Sequence, residues 1–123
     1  MDQNLFEEIA QEAFDSLPPE LQERVENLTV VVEDYPSAET VRRMGLRSRL
    51  DLLGLYEGVP LTHRGSHYGT SPVVPDKVTL YRKNIERIAR TGGEIRRAIR
   101  DTLIHEIAHH YGMDEKQIRD AGY

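Results

Sequence analysis

The sequence predicts an α+β fold: a small β-sheet packed against one long helix, with further helices toward the N- and C-terminal ends. Three observations carry this expectation. Apolar residues recur at helical spacing near the start, and again over a long stretch near the end. Between them lie three short runs rich in β-branched, leucine and aromatic residues, bounded by Pro, Gly, Ser and Asp. The chain has 123 residues, which fits one core of the usual size, so residues 1–123 are read as a single domain.

Taken in order, Leu5, Phe6, Ile9, Ala10, Ala13 and Phe14 form one apolar stripe with Glu7, Glu8 and Glu12 outside it, which predicts a helix over 4–14. Pro19 opens a second, short helix running to about Val25. Leu28–Glu33 reads as a strand that Pro36 stops, and Ala38–Met44 as a short helix. Two further strands are expected at Leu52–Gly58 and Lys77–Tyr81. Between them Val59–Asp76 is a long connection rich in Pro, Gly, Ser, Thr and His, the kind of loop that more often serves function than structure. Ile85–Arg90 is expected to be helical and Thr91-Gly92-Gly93 to break it. Glu94–Tyr111 then reads as one helix, roughly 27 Å long at the usual rise per residue.

Composition excludes several classes. Cysteine is absent, so there is neither a disulfide framework nor a thiolate metal site. The longest apolar run, Leu28–Val32, is far short of a bilayer span, and the polar, acidic start lacks the layout of a signal peptide. A cytoplasmic protein without a membrane partner is the expectation. Charge is uneven within the net −5: the first 40 residues hold Arg24 alone against a series of acids, whereas Arg82, Lys83, Arg87, Arg90, Arg96, Arg97 and Arg100 cluster later. No aromatic residues interleave these arginines as stacking platforms, so the acidic helices are expected to complement them and a nucleic-acid partner is not expected.

The chemistry concentrates in His105-Glu106-Ile107-Ala108-His109, an HExxH motif on the last long helix. Residues four apart share a helix face with Cβ atoms about 5–6 Å apart, so both imidazoles reach one ion. Glu106 lies to the flank of both, where a carboxylate takes a proton from a metal-bound water rather than ligating. One Zn2+ per chain is the implied cofactor. Leu103, Ile104, Ile107, Ala108 and Tyr111 surround the motif, which predicts that this half of the helix is buried. A purely structural reading instead has two satisfied core histidines and pairs Glu106 with an arginine such as Arg100.

A hydrolytic zinc site needs a third protein ligand and an open position. Gly112 can take the left-handed conformation and fold the chain back, bringing Asp114 and Glu115 to the metal. Asp114 also opens a capping box with Gln117, which leaves Glu115 the freer carboxylate; Asp114 is the alternative ligand, and His110 or a loop residue also stays open. In the long loop, His63, Arg64, His67 and Tyr68 are either ordinary loop residues or substrate contacts, with Tyr68 a candidate oxyanion donor. Tyr81, on a strand that either pairs with an extended peptide or is interior sheet, is a second candidate substrate contact.

His105–Gly112 followed by an acidic pair resembles the small bacterial minimal-zincin metallopeptidase-like family, with its HExxHxxGxx(D/E) signature. Gly54–Leu61 and Pro75–Arg82 are similar to that family's two other recurrent segments, so the resemblance covers about residues 50–118. It implies a zincin-like α+β fold, His105 and His109 as ligands, Glu106 as catalytic base and an acidic third ligand. Many members have Asp where this chain has Glu115. Bacterial rRNA-maturation zinc endoribonucleases share part of the spacing, but Glu106 stands where they have glycine and Glu115 where they have a third histidine.

The expectation is therefore a zinc-dependent metallopeptidase acting on a peptide or protein substrate. Two alternatives remain: a metal-binding interaction or regulatory module with little turnover, and a zinc-dependent RNA-processing hydrolase. So short a chain leaves little wall for a deep cleft, which points to a partner chain completing it.

Overall fold

The computed structural model describes residues 1–25, 27–58 and 76–123. Among them the helices are α1 (Gln3–Asp15), α2 (Pro19–Gln22), α3 (Ala38–Arg43), α4 (Arg82–Ile88), α5 (Gly92–His110) and α6 (Glu115–Asp120). The strands are β1 (Leu28–Glu33), β2 (Gly54–Glu57) and β3 (Asp76–Tyr81), and a short 3-10 turn, Arg49–Asp51, leads into β2. The architecture is the α+β arrangement expected from the sequence, with a three-stranded sheet against the long α5.

The sheet order is β1-β3-β2, with β3 parallel to β1 and antiparallel to β2. Strand alternation sorts its side chains. Val78 and Leu80 join the core with Ile99, Leu103 and Ile107 of α5, whereas Thr79 and Tyr81 alternate to the opposite face. Tyr56 and Gly54 pair with Val78 and Leu80, so they share the face that meets α5. The same core takes Phe6, Ile9, Ala10 and Ala13 from α1, which packs against both α5 and β1.

α2 and β2 are shorter than expected, and the junction of α4 and α5 differs from the sequence expectation for physical reasons. The expected break between the two helices is present but falls at residues 89–91: Thr91 is the N-cap of α5, its Oγ1 accepting from Glu94 N at 3.1 Å, so Gly92 and Gly93 belong to the first turn of α5, where helical hydrogen bonds are not yet required. α4 begins three residues earlier than expected, directly off β3, and ends at Ile88. The predicted charge complementarity is present between elements. Arg96 of α5 meets Glu12 of α1 at 3.0 Å, and Arg82 of α4 meets Asp34, just after β1, at 3.0 Å.

β2 approaches α5 closely because Gly54 has no side chain. A Cβ there would lie 2.7 Å from Thr102 Cγ2 and 3.2 Å from the Thr79 carbonyl. Gly54→Ala should therefore destabilise the fold by about 1–3 kcal/mol through overpacking. Thr102→Ser, which removes the clashing methyl, should recover part of that loss in the double variant, as read from urea denaturation. Additive losses would show that the contact is not the cause.

Candidate metal centre

α5 has two tasks. Its period puts Leu103, Ile104, Ile107 and Ala108 in the core and turns His105, Glu106 and His109 toward the open side. The motif face is thus less buried than the sequence suggests: the side chains of His105 and His109 are 34% and 44% exposed. The apolar neighbours cover the back of the helix and leave the imidazoles at a rim.

α5 ends in a Schellman turn. Gly112 has φ +86°, Met113 N donates to Ala108 O at 3.0 Å, and Gly112 N donates to His109 O at 3.0 Å. The turn reverses the chain into α6. Asp114 caps that helix, its Oδ1 accepting from Gln117 N at 2.8 Å while Gln117 Oε1 accepts from Asp114 N at 2.8 Å. The Asp114 carboxylate is occupied there. The Glu115 carboxylate reaches both imidazoles, with Oε2 3.4 Å from His105 Nε2 and Oε1 3.1 Å from His109 Nε2.

These groups suit a zinc ion by donor type. His105 Nδ1 lies 2.7 Å from the Asp101 carbonyl, a contact that places the proton on Nδ1 and leaves the Nε2 lone pair for a metal. Two ligands of one tetrahedral zinc stand roughly 3.3 Å apart, close to both imidazole–carboxylate separations. Among the described residues no three His, Asp or Glu side chains form a ready-made cage. Glu115 instead touches the imidazoles directly and must draw back to admit an ion, which its 57% exposed side chain is free to do.

Glu106 does not pair with Arg100, whose guanidinium donates to the Ser16 carbonyl. It is held from the sheet: Glu106 Oε1 accepts from Tyr56 N at 3.1 Å, an amide on the side of β2 away from β3. Burial pushes the Glu106 carboxyl above the ordinary carboxylate range, against the opposing pull of the Tyr56 amide and the two imidazoles. A cavity of about 250 Å³ opens beside it, lined by Leu53, Gly54, Thr102, His105 and Glu106 among others.

Tyr81 does not serve as a surface contact. It is 2% exposed and faces away from α5, and β3 is the central strand with both edges already paired. Burial, with Glu33 and Glu57 nearby, pushes its hydroxyl up to about 12. The expectations for His63, Arg64, His67 and Tyr68 fall outside the described residues. Sequence reasoning missed Tyr56, whose ring stacks on His110 at 3.8 Å between centroids and whose hydroxyl donates to Asp76 Oδ2 at 2.8 Å. Alternation along β2 was the available signal, since it puts Tyr56 on the helix-facing side.

Comparisons with known proteins bear on the fold and the family. No curated protein sequence matches the chain. Among solved structures, a conserved hypothetical protein from Thermo thermophilus has a similar fold. Its TM-score is 0.56 at 21% identity, over 89% of this chain and 94% of that one. A family model described as Zincin-like metallopeptidase matches residues 25–123, from just before β1 to the end of the sequence. With the HExxH helix, the sheet and the returning acidic residue all inside that match, the chain belongs to the zincin-like metallopeptidase family.

Proposed function

We propose that this protein is a zinc-dependent metallopeptidase in which His105 Nε2, His109 Nε2 and the Glu115 carboxylate hold one zinc ion and Glu106 is the general base. The observation that carries this reading is the contact of one carboxylate with both motif imidazoles, beside a second carboxylate fixed from the sheet edge. When bound, zinc supplies Lewis-acid polarisation of the scissile carbonyl and acidifies a water toward a pKa of about 7.

The chain's own groups do the remaining work. Tyr56 N–H holds Glu106 Oε1 and so orients the carboxylate, leaving Oε2 to take the proton of the attacking water. The same oxygen then returns the proton to the leaving amine. Its raised affinity for a proton suits a base that must carry one between two steps near neutral pH. The Asp101 carbonyl keeps His105 in the tautomer that presents Nε2.

The half-exposed imidazoles favour a second reading: a module that binds metal and completes its cleft with a partner chain. Glu106→Gln separates the two. In the metallopeptidase, this variant keeps about one zinc per chain by elemental analysis and loses roughly 10²–10⁴-fold in peptide-bond hydrolysis. A wild type that binds zinc and cleaves nothing in a peptide library would leave the module.

Two further outcomes test the ligand set. Glu115→Ala should weaken zinc binding by more than the about 10–100-fold typical of losing an outer partner, whereas Asp114→Asn, which retains a capping side chain, should bind zinc as the wild type does. Competition with a chromophoric chelator measures both, and the reverse order would reassign the ligand to Asp114. Stripping zinc should also lower the melting temperature. A ligand bound only to the native state adds about 2.7 kcal/mol at a concentration one hundred times its Kd.

A further inference from the structure

The cavity beside Glu106 is one end of a longer trough. A second cavity of about 340 Å³ shares Leu53, Asp101 and Thr102 with it and continues along α5 toward the helix start. Its wall and floor are Leu53, Ala98, Ala89 and Ile88, the last 56% exposed and the most exposed large aliphatic residue among those described. Arg97 lines the far end. Among the described residues Arg97 makes no ion pair or side-chain hydrogen bond, in contrast to Arg82, Arg96 and Arg100, which are spent on partners within the chain. Glu94, the other charge at that end, is taken up in capping α5 through Thr91 and the Arg90 amide.

We infer that this trough is a substrate subsite, and that it selects peptides with a bulky apolar residue near the scissile bond and a carboxylate farther along on the same side. The inference rests on the peptidase reading and adds a substrate class to it. Apolar walls next to the reacting groups take an aliphatic or aromatic side chain and hold it by area removed from water. Arg97 stands nine positions before Glu106, roughly 13 Å along the helix axis at the usual rise. An extended peptide covers that distance in about four residues. The guanidinium then meets a carboxylate about four residues from the cut, supplied by an Asp or Glu side chain or by the free end of the peptide.

The probes are decapeptides that carry Leu or Asn near the centre and Glu or Gln four residues on, each made with a free and with an amidated C-terminus. Binding is measured by calorimetry on zinc-loaded Glu106→Gln, and cleavage by mass spectrometry with the wild-type protein. The Leu and Glu peptides should bind and be cut best. Arg97→Gln should weaken binding of the carboxylate-bearing peptides about three- to tenfold and leave the neutral ones unchanged. Ile88→Ser should reduce the Leu-over-Asn preference. Both positions are exposed, and unchanged melting temperatures verify that the fold is intact. If amidation alone removes the effect of Arg97, the recognised group is the chain terminus; if it does not, the group is the acidic side chain. Cleavage without these preferences, or preferences that survive Arg97→Gln and Ile88→Ser, overturns the trough and leaves the peptidase. Selective binding without any cleavage by the wild type overturns the peptidase and leaves the trough.

Discussion

Everything in this structure depends on α5 being both the centre of the core and the floor of the site. A helix of period 3.6 cannot put residues 103, 104, 107 and 108 in the interior without turning 105, 106 and 109 to the other side. The apolar residues that fix the helix against the sheet and α1 therefore also fix the direction of the two imidazoles and the carboxylate. This is why a short sheet suffices. It need only clamp one helix in place, and the absence of a side chain at Gly54 lets β2 lie close enough for its edge amide to reach Glu106.

That edge contact divides the labour within the site. Donor nitrogens come from successive turns of one helix, and the returning carboxylate comes from the turn that follows it. Glu106, the proposed base, is held from elsewhere, through a strand whose other side is paired into the sheet. Burial raises the proton affinity of Glu106 and the Tyr56 amide moderates it, so the acid–base character of the site is set by how closely strand and helix approach. A backbone donor suits that role, because no change of side chain at position 56, short of proline, removes it.

The sequence made legible what is encoded locally. HExxH spacing, the glycine at 112 and the Asp114–Gln117 capping pattern each act within one or two turns, and the expected helix end, reversal and new helix are all present. The sheet elements were legible as runs but not as neighbours. That β3 is central, and that Tyr81 faces away from α5, follows from pairing with β1 across 48 positions of sequence and with β2 across 20 to 26, which no local pattern states. Burial around the motif was overstated for a related reason: apolar neighbours show that one side of a helix is covered, not that both are. The break between α4 and α5 was read two residues late, because the capping role of Thr91 was not weighed.

The Schellman turn at Gly112 also has a kinetic meaning. It confines both motif imidazoles and the carboxylate they meet to the eleven residues 105–115, whereas the bond that orients Glu106 closes a separation of fifty. Short loops cost little entropy to close and long ones form only once the chain has assembled around them. The donor set is therefore the part of the site that a fluctuating chain recovers first, and the alignment of the base is the part that waits for the sheet. On the proposed reading, a partly opened molecule of this design would keep its ligand set together while the alignment of Glu106 is lost.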